Sequence, residues 1–328
     1  MINERTVFVL GAGASAPYGY PSGFKLKNEV LDYLEFESNN LVSFGYEIDL
    51  VKSFQESLFF SATTSVDAFL EHRYDEFLDI GKLSIARVLT KYEAPKALFE
   101  VYDWYQYLFD LMNAPFDKFG SNKVSFITFN YDRSLEHFFI TALKNKYGKS
   151  EEECAEKLKS IPIIHVYGLL DYLPWEKPDG REYNNKYSGN FDIMRKTGNK
   201  IKIIHEKGDI ERDPEFNRAH SLIEDAKKIY FLGFGYDSTN IKRLLFPYTQ
   251  TISLPRPEPF SIDRGNELFK HEDTSALEHE IKKYVAGTAF NLEEAECERI
   301  KNLFWKFLFR IRLKNVDAHL FLKQIDLD

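Results

Sequence analysis

The stretch TVFVLGAGASAPYGYPSG, Thr6 to Gly23, decides the fold. Val7, Phe8, Val9 and Leu10 make a short continuous apolar run with β-branched members, the pattern of a strand buried on both faces of a parallel sheet. A glycine turn follows at once, with Gly11, Gly13 and Ala16 in the spacing G-x-G-x-x-G/A. Small residues there permit a tight turn and let backbone N–H groups approach a pyrophosphate at a helix N-terminus. Ser15 adds a hydroxyl to such a cradle.

A doubly wound dinucleotide fold reaches its second strand within about 30 residues, with an acidic residue for the ribose at its end. This chain does not. From Phe24 to about Met112, LKNEVLDYL, LVSFGYEIDLVKSFQESL, SVDAFLEHRYDEFLDIGKLSIARVLTKY and PKALFEVYDWYQYLFDLM carry apolar residues at helical spacing, which predicts a helical insertion over about 24–115. Thr64 or Ser65 suits an N-cap and Pro95 the first turn of the next helix. The aromatic stripe Phe99, Tyr102, Tyr105, Tyr107 and Phe109 reads as packing.

Strand character returns at VSFITF, Val124 to Phe129, and at IPIIHV, Ile161 to Val166, with SLEHFFITALKNKY as a helix between them. A further strand, KIKIIH, is expected at Lys200 to His205 after a loop from about Lys177 to Asn199, and a helix from Pro214 to Ala226 leads into IYFLGFG. Alternating strands and helices imply an α/β fold, a Rossmann-like parallel sheet with helices on both faces. LPRPEPF, with three prolines, marks an irregular connection, after which Ser275–Tyr284 and Leu292–Arg312 read as helices. The division expected is a nucleotide-binding and catalytic domain over 1–255 and a helical C-terminal region over 256–328.

A chain of 328 residues with 44% hydrophobic and 29% charged residues has material for a sizeable core. Its net charge of -8 argues against direct nucleic-acid binding, so a small anionic ligand is expected on backbone amides. Cys154 and Cys297 are the only cysteines, too few for a disulfide framework or a four-cysteine zinc site, and no metal is expected. Without a leader pattern or a run of about 18 apolar residues, the expectation is a cytoplasmic protein with no membrane partner.

Polar clusters follow the predicted strands, where ligands of open α/β sheets collect. They are GAGAS; TFNYD with Asn130 and Asp132; His165 with Gly168; and GFGYDSTN, Gly233 to Asn240. Each has a plain structural reading: Asp132 as a helix cap, His165 as a core histidine, Gly233 and Gly235 as turn residues. Their conjunction at the carboxyl ends of several strands directs them to one crevice.

In order and spacing, GAGAS with Gly19-Tyr20-Pro21, then Thr128-Phe129-Asn130-Tyr131-Asp132, His165 with Gly168, and Gly233-Phe234-Gly235 resemble the NAD-binding core of the sirtuin family. The resemblance covers about Thr6 to Asn240 and is strongest to the bacterial sirtuin-like NAD hydrolases of antiphage defence, whose helical insertion SVDAFLEHR also resembles. Sirtuin deacylases commonly carry Asp-Phe-Arg after the Gly-Ile-Pro of their first motif; here Ser22, Gly23 and Phe24 follow Pro21. In the second motif Phe129 stands for Gln and Tyr131 for Ile, and two cysteines cannot supply the structural zinc module.

The resemblance therefore implies NAD cleavage rather than peptide deacylation. It places Gly11, Ala12, Gly13 and Ser15 on the pyrophosphate with Gly233 and Gly235, and Asp237, Ser238 and Asn240 on phosphate or ribose. Cleaving the nicotinamide bond expels a neutral base from a cation, so the site orients the ribose and delivers a nucleophile. Asn130 suits a ribose hydroxyl or the attacking water, His165 suits proton transfer, and Asp132 holds the loop or Asn130. A non-catalytic NAD or ADP-ribose sensor is the alternative, with protein deacylation a third reading. An NAD-depleting effector of abortive infection needs control, which implies a homo-oligomer, or a HerA-type ATPase or Argonaute partner.

Overall fold

The computed structural model describes residues 1–203, 212–245, 284–288, 293–305, 311–314 and 317–324. Strands β1 Thr6–Leu10, β2 Val124–Thr128, β3 Ile163–His165, β4 Lys228–Leu232, β5 Tyr284–Thr288 and β6 Ile311–Lys314 form one six-stranded sheet in the order β3-β2-β1-β4-β5-β6. Every neighbouring pair is parallel. This is the Rossmann-like order, in which the crevice for a ligand opens where the order reverses, beyond the carboxyl ends of β1 and β4.

β1 is central because it is apolar on both sides. Leu10 pairs with Thr128 of β2 and with Leu232 of β4. Phe8 and Leu10 face one core, where the Phe8 ring stacks on Phe126 at 5.7 Å and on Tyr230 at 5.5 Å. Val7 and Val9 face the other, with Ile127, Ile164 and Phe231. Alternation within a continuous apolar run thus builds two cores from one strand.

The insertion between β1 and β2 is helical: α1 Gly23–Phe36, α2 Ser38–Ser43, α3 Ile48–Phe60, α4 Val66–His72, α5 Tyr74–Thr90, α6 Ala97–Glu100 and α7 Trp104–Leu111. Gly45, at φ 108°, separates α2 from α3 within one predicted segment. Ser65, rather than Thr64, caps α4, its Oγ accepting the Ala68 N–H at 3.1 Å. α6 starts past Pro95, with Lys96 as its cap. The aromatic stripe divides, since Tyr105 and Phe109 are buried while Phe99 and Tyr102 are 37% and 60% exposed.

The later helices are α8 Ser134–Tyr147, α9 Glu151–Leu158, α10 Phe191–Gly198, α11 Pro214–Asp225, α12 Ser238–Leu245, α13 Glu294–Trp305 and α14 Ala318–Gln324. α8 has the predicted bounds. α10 lies inside the expected loop of 177–199 and packs against α5, where Gly198 approaches the Lys82 backbone so closely that a Cβ would sit 3.0 Å from it. No strand forms from Lys200 through Ile203, where Ile201 makes one antiparallel bridge to Gly168; His205 lies outside the described residues. The Lys202 ammonium bonds Asp213 and Glu215 at the start of α11, which ties this segment to that helix. Among the described residues no helix is long and apolar enough to cross a membrane.

The C-terminal region is not only helical. Tyr284, expected to end a helix, opens β5; residues 275–283 lie outside the described residues. The helix expected over Leu292–Arg312 is α13, followed by β6 at Ile311. Short apolar runs have no period long enough to separate strand from helix, and β5 and β6 become strands by pairing beside β4. Residues beyond 255 therefore complete the sheet.

A buried ionic knot ties the insertion to the turn after β2. Glu93, just past α5, bonds Arg133 at 2.7 Å and Arg181 at 2.5 Å, and Glu93 and Arg133 are wholly buried. The Arg133 guanidinium also donates to the carbonyls of Arg181 at 2.7 Å and Tyr172 at 3.1 Å. Glu93→Ala leaves two guanidinium groups without their anion and is expected to lower the unfolding free energy by about 3–5 kcal/mol, measured by urea denaturation.

Candidate functional site

The turns after β1 and β4 interlock through backbone. Gly13 N–H donates to the Gly233 carbonyl at 2.9 Å, and Gly11 N–H to the Leu232 carbonyl at 3.1 Å. A Cβ on Gly11 would lie 2.7 Å from the Gly233 oxygen, and one on Gly233, at φ 56°, would lie 2.0 Å from the Ala14 nitrogen. These glycines serve contact between two turns. With the Gly13 and Ala14 N–H groups spent on Gly233 and Gly11, the Ala12 N–H at the head of the turn Ala12–Ser15 remains for a ligand.

Asn130 extends from the turn after β2 over this knot. Its Nδ2 donates to the Gly11 carbonyl at 2.9 Å and to Ser15 Oγ at 3.1 Å, while its backbone N–H donates to Thr128 Oγ1 at 3.0 Å. A carbonyl only accepts, so the amide orientation is set and Oδ1 is left for a ligand. Ser15 in turn donates to Asp132 at 2.7 Å, and Asp132 accepts both the N–H and the hydroxyl of Ser134. Burial raises the Asp132 pKa against these bonds. Asp132 therefore fastens the start of α8 and, through Ser15, orients Asn130. From the insertion, Trp104 Nε1 donates to the Ala14 carbonyl at 2.7 Å and holds the glycine turn from behind.

Two cavities open here. The larger, about 380 Å³, is bordered by Gly11, Ala12, Asn130, Gly235, Asp237 and Asn240 among the sequence-predicted residues, a size within the range of small-molecule sites. The smaller, about 90 Å³, is bordered by Ser15 and Asp132 with Pro21, Leu26 and Leu89. Ala12, Asp67, Phe129, Asn130 and Tyr131 border both, so they form the neck between the two spaces. Gly13, Gly233 and Ser238 border neither. Asp237 caps α12, its Oδ1 accepting from the N–H groups of Thr239 at 2.9 Å and Asn240 at 3.0 Å, and its other oxygen takes no part in the cap.

His165 does not face either cavity. Its Nδ1 donates to the Asn130 carbonyl at 2.8 Å, its Nε2 lies 2.6 Å from Glu136, and the side chain is 7% exposed. Both ring nitrogens are engaged, so the imidazole expected to transfer a proton holds the Asn130 backbone in this arrangement. Its neighbour two residues on, Tyr167, borders the larger cavity, donating to Asn240 and accepting from Arg243 at 2.7 Å. Arg243 also bonds Glu71 at 2.8 Å, so the turn after β3, α12 and α4 meet at the rim.

Sequence reading missed Asp67, Glu71, Tyr167 and Arg243. The spacing of Asp67 and Glu71, four residues apart in SVDAFLEHR, puts both on one face of α4 and was the available signal. The partners lie far away in sequence and carried none. Among the described residues no group of three or more histidines, cysteines or carboxylates is placed to hold a metal ion. Comparison with protein-family models and with curated proteins found no match.

Beneath Asn130, burial pushes His165 down but the Glu136 carboxylate outweighs it and leaves the imidazole pKa raised. Burial, with the charge of Glu136 adding, pushes Glu176 up to about 7. In both groups the folded pKa exceeds the unfolded one, so their stabilisation is present at low pH and lost as pH rises through the folded value. The window runs from the ordinary carboxylate range to about 7 for Glu176 and from 6.5 upward for His165. Stability measured by urea midpoints is expected to fall from about pH 5 to about pH 7, with a flatter fall in Glu176→Gln.

Proposed function

We propose that this chain is an NAD+ glycohydrolase, cleaving the nicotinamide glycosidic bond to give nicotinamide and ADP-ribose. The observation that carries the reading is Asn130, fixed through Nδ2 at the neck between two cavities with Oδ1 left for a ligand. In this reading the pyrophosphate lies by the Ala12 N–H and Gly235 in the larger cavity. Nicotinamide enters the smaller one, whose Pro21, Leu26 and Leu89 walls suit a flat neutral base and whose Ser15 and Asp132 suit its carboxamide. The scissile bond then sits at the neck beside Asn130. The sheet order supports the placement, because ligands of such sheets bind where the strand order reverses.

The sirtuin-like motif order supports NAD as the substrate, and the biological reading proposed with it is an NAD-depleting effector of antiphage defence. Its control is proposed to come from self-assembly or from a HerA-type ATPase or Argonaute partner. One observation favours the sensor reading: His165 is bound to Glu136 and to backbone instead of facing the cavity.

The test is incubation of the purified chain with NAD+, alone and with a candidate ATPase partner, following nicotinamide by chromatography. The hydrolase reading expects nicotinamide release that falls about 100-fold or more in Asn130→Ala. NAD+ binding in calorimetry with no release in either mixture supports the sensor.

A further inference from the structure

We infer that Asp67 is a catalytic carboxylate of this site, placed to face the positive charge of the nicotinamide ribose and to take the proton of the attacking water. The inference rests on the NAD reading and adds to it a residue from the helical insertion. Among the described residues five border both cavities, and of these Asp67 carries the one carboxylate. A bond placed beside Asn130 is therefore also placed beside Asp67.

The side chain is held there from two sides. Ser65 caps α4 and sets the direction of its first turn, and the Tyr131 hydroxyl, next in sequence to Asn130, donates to Asp67 Oδ1. A carboxylate has about four acceptor positions, so this bond orients the group without saturating it. Tyr131 thus couples the Asn130 turn directly to the insertion.

Asp67 also lacks a cation. Among the described residues it makes no ion pair, whereas Glu71, one turn further along α4, is matched by Arg243 at 2.8 Å. Burial, with the charge of Glu71 adding to it, raises the Asp67 pKa, which makes the carboxylate a better base. A half-buried carboxylate without a counter-ion carries a desolvation cost, and a ligand that brings a positive charge to the neck offsets that cost. NAD+ does so as a pyridinium in the ground state and as an oxocarbenium-like ribose in the transition state.

The bond between the ribose anomeric carbon and the pyridinium nitrogen breaks, its electron pair stays on nitrogen, and neutral nicotinamide leaves into the smaller cavity. Water adds to the anomeric carbon, its proton passes to Asp67 and from there to solvent, and ADP-ribose remains. Asn130 orients a ribose hydroxyl. With His165 turned away, Asp67 fills the role of base.

The full-length chain is tested by calorimetry with NAD+ and with NADH, whose dihydronicotinamide is uncharged, together with nicotinamide release. Wild type is expected to prefer NAD+ by roughly tenfold or more, as a charge facing a carboxylate requires. Asp67→Asn is expected to erase the preference while leaving NADH affinity unchanged, and to cut turnover about 100-fold or more. Tyr131→Phe keeps the charge and loses its tether, so the preference persists while turnover falls about tenfold. Equal binding of both nucleotides by wild type, with turnover that still depends on Asn130, overturns the role of Asp67 and leaves the hydrolase reading intact. Failure of wild type to bind either nucleotide overturns both.

Discussion

The structure depends on backbone meeting backbone between the turns after β1 and β4. Gly13 donates to Gly233, and side chains at Gly11, Gly13 or Gly233 would force the two turns apart. This contact closes the crevice at the point where the strand order reverses and decides which amides face it. A motif commonly read as a set of ligand-binding glycines is here divided: Gly13 and Gly233 join two loops, and Gly11, Ala12 and Gly235 border the cavity. The β1–β2 ladder, in which Leu10 pairs with Thr128, then brings Asn130 within reach of the Gly11 carbonyl.

Around that contact the helical insertion acts as the second half of the site. Trp104 holds the glycine turn, Glu93 anchors Arg133 beside the Asn130 turn, and Tyr131 reaches Asp67. These bonds join the segment between β1 and β2 to the carboxyl end of the sheet. The insertion is therefore part of the cavity wall, and its sequence has to satisfy two demands: apolar stripes that pack α1, α3 and α5 together, and polar groups that meet the turns. Those polar groups are few, and each is paired across a long sequence separation.

The electrostatics of the crevice follow from the same arrangement. Backbone amides and the dipoles of Asn130 and Ser15 supply neutral polarity, and Arg243 is tied to Glu71. Beneath the floor, His165, Glu136 and the half-buried Glu176 form a separate group, joined to the cavity wall by the bond from His165 to the Asn130 carbonyl. Proton transfer in that group bears on stability and on the position of Asn130, with no direct path to a bound ligand.

The sequence by itself determined the elements whose signal is local. The apolar run at Val7–Leu10, the glycine spacing after it, the helix Ser134–Tyr147 and the alternation of strands with helices are each legible within a window of a few residues. Asn130, Gly11 and Ala12 were legible as residues of the crevice for the same reason, since the turn just past a buried strand opens at the carboxyl end of the sheet. Tertiary structure decided the rest. β5 and β6 are too short to declare themselves and became strands by pairing, and α10 formed where composition read as loop. His165 turned under the floor because Glu136, on the first turn of α8, and the Asn130 carbonyl together satisfy both of its ring nitrogens. Asp67 meets Tyr131, 64 residues away in sequence, at the neck. A single residue's type states what chemistry it can do, and only the folded contacts decide which of its hydrogen bonds are already taken.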